Sequence, residues 1–335
     1  MPRLVAVLVA LSMLPSNMMA SPVMAAMQEG LRLPIDCEPG KDCWIVRYVD
    51  HDPGEGAKDY ACGKMTGDGH KGTDFAIRDL AALSAGVIVR AATAGRILAV
   101  RDGMEDRRID ISDAQSVGGR ECGNGVRIDH GDGWVSLYCH LRRGSALVMQ
   151  GDDVVAGQPL GLVGLSGKTS FPHLHFDLRH QDKVVDPFVG ETRTAECGPE
   201  KTSLWAEGIQ DRFDYRHPLL TNSGITSVTP EKDDTRKGWH RARSLPANSP
   251  LLTLWVDGYW FEQGDQVRFL LEGPDRSLVV DRRLDVGQHR QRWFSFASAP
   301  RPPGGWSRGT YRGEVQVQRV GSLIRETIVS TVNIN

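Results

Sequence analysis

Short apolar or β-branched runs alternate with glycine turns between residues 60 and 190. They fall at residues 87–90, 95–100, 125–130, 134–140, 159–164 and 173–178. No amphipathic helix of useful length interrupts them, so the stretch predicts short strands of an antiparallel sheet. Two runs, 125–130 and 134–140, flank Gly131-Asp132-Gly133 and read as a hairpin. Residues 102–119 are charged and lack a period, which suits an exposed loop inserted between two strands. After Cys197 the pattern changes. Residues 227–250, SVTPEKDDTRKGWHRARSLPANSP, are polar and proline-punctuated, as in a connection. From Leu251 onward six candidate strands follow, among them LLTLWVDGYW, QVRFLLEG and GTYRGEVQVQRV. They predict a second all-β unit, most simply a sandwich.

One apolar run does not belong to a sheet pattern. Residues 4–14 form it, behind Arg3 and ahead of Pro15, Ser16, Asn17 and the small-residue triplet Val23-Met24-Ala25. This is the pattern of a secretory signal peptide, with the mature chain starting near Ala26. The run is shorter than the roughly 20 residues that span a bilayer, and no later segment is long and apolar enough to do so. No integral membrane segment is therefore expected. The cysteines agree with export. Cys37, Cys43, Cys62, Cys122, Cys139 and Cys197 are even in number, and none forms a C-x-x-C pair. Disulfides in an oxidising compartment, most simply a periplasm, are expected rather than thiolate metal ligands. The hairpin would set Cys122 nearly opposite Cys139.

Length and charge add bounds. The chain has 335 residues, beyond the size at which one core usually keeps growing. The expected division is a signal peptide at 1–25, a cysteine-containing segment at 26–59, a chemistry-bearing domain at 60–200, a connection at 201–250 and a sandwich-like domain at 251–335. The 40 basic and 42 acidic residues nearly cancel, which leaves no footprint for nucleic acid.

Candidate chemistry sits in two separated stretches, GDGHKGTDFAI at 67–77 and SFPHLHFDLRH at 170–180. On a strand, His70 and Asp74 at i and i+4 share a face, as do His173 and His175 at i and i+2. Neighbouring strands would bring imidazoles and a carboxylate together. Such nitrogen and oxygen donors suit zinc, and a catalytic zinc takes three protein ligands with a fourth position left to water. Gly72 and Phe75 fit a strand leaving a tight turn. Asp177 shares the His173 face, where it either orients an imidazole or pairs with Arg179. The remaining histidines, His51, His130, His180, His217, His240 and His289, read as structural. Other motifs fail. GLSGKT at 164–169 lacks the first glycine of a phosphate loop and precedes a strand, and neither H-E-x-x-H nor G-x-S-x-G occurs.

Three motifs together resemble the LytM and lysostaphin type of zinc metallopeptidase, peptidase family M23, whose members cut peptidoglycan peptides. They are H-x-G-x-D at His70 to Asp74, Tyr-x-His-Leu at Tyr138 to Leu141, and His-Leu-His-Phe at His173 to Phe176. The run GQPLGLVGLSGKTSFPHLHF also resembles the family's approach to its last motif. The resemblance spans about residues 60 to 190. It implies a β-rich, antiparallel-sheet metallopeptidase domain with an active-site groove. One zinc per chain would be held by His70, Asp74 and His175, and His140 and His173 would be the catalytic histidines beside the attacking water. The function implied is an exported endopeptidase acting on peptidoglycan stems or cross-links.

The family's tyrosine shortly before the first zinc histidine is replaced here by Lys64 and Met65, with Tyr60 further back. Degenerate relatives that have lost zinc ligands activate separate wall amidases. A wall-binding protein with a structural, four-ligand zinc is a third reading. The five intact residues favour an enzyme. Residues 26–65 either cover the groove as an inhibitory segment or have no such role. Trp255, Tyr259, Trp260 and Trp293 read as packing rather than a sugar platform, and no chemistry is expected in the C-terminal unit.

Overall fold

The computed structural model describes residues 29–109, 117–192, 197–198, 202–213, 215, 217–323 and 325–335. The expected signal peptide and its cleavage site lie outside the described residues, as does part of the 102–119 loop.

The first half supplies eleven strands: β1 (Cys43–Arg47), β2 (Thr73–Ile77), β3 (Ile88–Arg90), β4 (Gly95–Arg101), β5 (Asn124–Gly131), β6 (Trp134–Leu141), β7 (Asp153–Val154), β8 (Pro159–Leu162), β9 (His173–His180), β10 (Lys183–Asp186) and β11 (Glu191–Thr192). A six-residue helix, α1 (Leu80–Ala85), follows β2 and is capped by the Asp79 carboxylate. The main sheet runs β1-β2-β9-β6-β5-β4-β7, with β10 beyond β9 and β11 beyond β10, while β3 and β8 pair separately. All of these pairings are antiparallel. The β5–β6 hairpin forms as expected. Asp132 and Gly133, at φ 50° and 82°, take the left-handed conformation that a two-residue hairpin turn requires.

Alternation decides which face is which. On β9, Leu174, Phe176 and Leu178 are fully buried and pack with Tyr138, Phe75 and Trp205 beneath the sheet. His173, His175 and Asp177 therefore stand on the opposite face, towards the groove. All six cysteines are paired, Cys37 with Cys43, Cys62 with Cys197 and Cys122 with Cys139. The last is the pair that the hairpin suggested.

The second half contains β12 (Leu219–Thr226), β13 (Ser244–Leu245), β14 (Leu251–Phe261), β15 (Gln266–Glu272), β16 (Leu278–Asp285), β17 (Arg290–Pro300), β18 (Gly309–Gln318) and β19 (Arg325–Ile334), with one short helix, α2 (Lys232–Arg236). A three-stranded sheet, β12-β14-β17, faces a five-stranded one, β13-β19-β18-β15-β16. Leu252, Leu254, Phe269 and Val315 fill the space between them, making a sandwich. Two of its strands, β12 and β13, come from the stretch that the sequence reads as a connection. β12 reads LLTNSGIT and is buried on both faces, so neither an alternating nor a continuous apolar pattern marks it.

Candidate active site

The sheet register lines up one row of side chains. Arg47 on β1 lies opposite Asp74 on β2, Asp74 opposite His175 on β9, and His175 opposite Cys139 on β6. Asp74 is the centre of the row's chemistry. Its Oδ1 is 2.8 Å from His175 Nδ1, 3.1 Å from His70 Nε2 and 3.4 Å from His173 Nε2. One ligand atom from each of His70, Asp74 and His175 falls within 4.8 Å of the others.

His70 reaches this point by a different route from the one expected. It precedes β2 instead of sharing its strand face with Asp74. Three hydrogen bonds fix it: Nδ1 donates to the Tyr48 carbonyl at 2.7 Å, its own carbonyl accepts from Asp50 N at 2.9 Å, and its N–H donates to the Gly67 carbonyl at 3.0 Å. Residues 43–50 are thus part of the site's scaffold. Gly72 also has a role beyond the turn. A Cβ there would lie 2.4 Å from the Phe176 carbonyl oxygen and 2.8 Å from His175 Nε2, so the H-x-G-x-D glycine makes room for the facing imidazole.

Simple alternation along β6 would send His140 down beside buried Tyr138. Instead His140 is the extra residue of a β-bulge, since Gly125 pairs with Cys139 and Asn124 with Leu141. Its φ of 62° turns the ring up into the groove. There its centroid lies 4.6 Å from that of His173 and 6.0 Å from that of His175. Its Nδ1 donates to the Ser166 carbonyl at 2.8 Å, and its backbone N–H to the Cys122 carbonyl at 2.8 Å.

Backbone carbonyls fix the tautomers, because a carbonyl can only accept. His70 Nδ1 faces Tyr48 O, His140 Nδ1 faces Ser166 O, and His173 Nδ1 faces Phe171 O at 3.0 Å. Each of these nitrogens carries a proton, so in the neutral ring it is Nε2 that keeps the lone pair. Burial and then the neighbouring imidazoles of His173 and His175 push His140 well below 6.5, so its ring is neutral. Burial opposes charge on Asp74 as well, but His70 and His173 overrule it and hold the carboxyl well below 3.8. For His70, burial is likewise outweighed, by Asp74 and the Tyr48 carbonyl, and its pKa rises.

These residues line a groove of about 830 Å³. The described part of the 102–119 loop is mostly exposed, as expected, but Ile109 is buried, donates to the Thr169 carbonyl and lines the groove. Asp177 lines it too, and its carboxylate is taken by Arg179 at 2.9 and 3.1 Å. Tyr60 lies outside it, buried among Tyr48, Phe188 and Tyr215. Among the other histidines, His51 pairs with Asp186 and His130 bridges Ala94 O and Ser136 Oγ, both away from the groove. The sequence reading missed Arg47 and, from the sandwich, Tyr259, Gln291 and Arg292, all of which line the groove. No local motif marks them, since only the register and the docking of the two halves bring them there.

Comparison with known proteins bears on the stretch that holds these residues. The description of peptidase family M23 matches residues 68–187. The chain carries an M23 peptidase domain. Over 62 residues the chain is 47% identical to the murein hydrolase activator EnvC of Escherichia coli, covering 18% of this chain and 14% of that protein. A stretch of 79 residues is 35% identical to the peptidoglycan DD-endopeptidase ShyA of Vibrio cholerae, covering 24% of this chain and 18% of that protein. The chain thus spans less than a fifth of either relative. Among solved structures, the catalytic domain of lysostaphin from Staphylococcus simulans is similar at 25% identity over 42% of this chain and 85% of that one, with a TM-score of 0.27. The M23 match contains His70, Asp74, His140, His173 and His175.

Proposed function

We propose that the protein is an exported zinc endopeptidase that hydrolyses peptide bonds in peptidoglycan stems or cross-links. The observation that carries this reading is the convergence of three imidazole nitrogens on Asp74 Oδ1 at 2.8 to 3.4 Å. A carboxylate and imidazoles this close, with two rings locked by carbonyls so that lone pairs are free, form a donor set that fits zinc. His70, Asp74 and His175 would hold the ion. When bound there, zinc supplies Lewis acidity that activates water and polarises a carbonyl at neutral pH.

The chain's own residues do the rest. His140, a neutral ring, and His173, with its Nε2 3.4 Å from Asp74 Oδ1, stand beside the cluster, placed to orient a water and accept its proton. Bulge geometry and the Ser166 carbonyl hold the His140 ring in place, and Phe171 O does the same for His173. Returning a proton to the leaving amine requires only that one imidazole has just accepted one. Three disulfides support an oxidising compartment such as a periplasm. Among the described residues no helix is long and apolar enough to cross a membrane. The peptidase unit would be built on residues 60–200 together with β1 of the disulfide-bonded segment at 26–59, and the sandwich on residues 251–335 together with β12 and β13 from the 201–250 stretch.

Digestion of purified peptidoglycan by residues 26–335 tests the reading, with and without zinc and beside His175→Ala. Cleaved cross-linked fragments, seen by mass only with zinc-loaded wild type, are the expected result. The similarity to a hydrolase activator gives the alternative its weight. Wild type that binds one zinc per chain yet leaves peptidoglycan intact would replace the peptidase reading with an activator or wall-binding role.

A further inference from the structure

Arg47 stands out in the groove because its charge is unclaimed. It continues the Asp74–His175 row on the outer strand, so its side chain rises on the same face, one strand spacing of about 5 Å from Asp74. Its Nε is buried from water and has no hydrogen-bond partner. Among the described residues no carboxylate lies within ion-pair distance of it. The other groove guanidiniums are committed. Arg179 is forked onto Asp177, and Arg292 onto Asp257 at 2.6 Å while lying 5.1 Å above the Tyr259 ring.

The sandwich holds this corner in place. Trp260 on β14 donates from Nε1 to the carbonyl of Val46, the residue before Arg47, at 2.7 Å. Tyr259, its neighbour, is buried, stacks obliquely on Phe171 at 5.8 Å and lines the same groove. A guanidinium with an unsatisfied, desolvated N–H beside an aromatic wall is built to receive an anionic oxygen from outside, and its planar fork matches a carboxylate.

We propose that Arg47, walled by Tyr259 of the sandwich, is a carboxylate subsite that selects peptides bearing a free carboxylate beside the scissile bond. The proposal rests on the peptidase reading and deepens it. It also gives the sandwich a part in substrate choice, where the sequence suggested only packing. An extended peptide advances about 3.3 Å per residue. A carboxylate one strand spacing from Asp74 therefore belongs to the residue next to the cleaved bond or the one after it.

The test uses synthetic stem peptides in which each carboxyl is amidated in turn, with the full mature chain as wild type, Arg47→Gln and Arg47→Lys. Binding of the labelled peptides, cleavage and zinc content are measured on each protein. Wild type should prefer one free-carboxylate peptide over its amide by roughly tenfold or more, mostly through KM. Arg47→Gln should bring that ratio close to one with its zinc retained, and Arg47→Lys should recover part of it. Selectivity that survives Arg47→Gln overturns the proposal, as does selectivity lost only together with zinc. If no peptide is cleaved but carboxylate-selective binding depends on Arg47, the subsite stands and the peptidase reading falls. Cleavage without selectivity has the opposite meaning.

Discussion

Gly72 shows how little room the His70, Asp74 and His175 cluster leaves. Any Cβ would press on the Phe176 carbonyl at 2.4 Å and on the His175 ring at 2.8 to 2.9 Å. Backbone cannot yield, so the imidazole must. Gly72→Ala should therefore move His175 off Asp74 and weaken zinc binding by about tenfold or more, the scale seen when groups that orient a ligand are lost. Competition with a chelator would read this, with far-ultraviolet circular dichroism as a check on folding. Wild-type affinity in the variant would mean that the glycine serves the turn alone. The same residues mark what was legible beforehand. Ligand chemistry is written in residue types, so the spacings of His70, Asp74, His140, His173 and His175 named the candidates. Their aim was not legible by alternation. His70 is placed by a carbonyl 22 residues away in sequence and His140 by a bulge, and both depend on partners that no local pattern encodes.

At the scale of elements, the β5–β6 hairpin carries both a staple and a buried titratable group. Cys122 and Cys139 close a loop with a sequence separation of 17, and the Cys122 carbonyl also accepts from His140 N. Replacing both cysteines with alanine should cost about 3 kcal/mol in urea unfolding, by the loop-closure argument. It should also slow cleavage under conditions where the variant is fully folded, because the bulge loses its anchor. An unchanged rate would make the bridge a staple only. His130, next to the last residue of β5, has Nδ1 on the Ala94 carbonyl and Nε2 2.7 Å from Ser136 Oγ. Burial lowers its pKa below 6.5, against a smaller opposing pull from Ala94 O and Asp129. Its neutral ring therefore contributes fully above about pH 6.5, the unfolded value. As pH falls below that, the unfolded chain takes up the proton first and stability declines until the folded pKa is reached. Urea unfolding at several pH values should show a shallower acid decline for His130→Asn, by up to about 1.4 kcal/mol per pH unit. Parallel curves would place the acid sensitivity elsewhere. Hairpin strands and turn were readable because their apolar period and Asp-Gly signal are local. β12 was not, because burial between two layers erases the period.

For the whole molecule, the question is whether two sheets and a sandwich behave as two bodies or one. Tyr259 and Trp260 sit on the sandwich strand β14, yet they pack into the hydrophobic core of the first half, alongside Tyr48 and Phe213. Polar ties cross the same boundary. The fully buried Asp79 carboxylate that caps α1 receives Arg241 at 2.7 Å and Asn222 at 3.2 Å, and Arg108 meets Asp233 at 3.0 Å. A buried carboxylate whose cationic partner belongs to the other half makes separation costly, since pulling the halves apart would leave a charge to be resolvated and apolar surface exposed. Calorimetry of the mature, zinc-loaded chain should therefore give a single transition, with calorimetric and van't Hoff enthalpies in agreement. Arg241→Ala should lower that transition while leaving it single, because the shared core remains. Two resolved transitions in the wild type would show that the halves unfold independently. The sandwich would then be a tethered module, and the groove wall that Tyr259 supplies would be only as persistent as the contact between the halves.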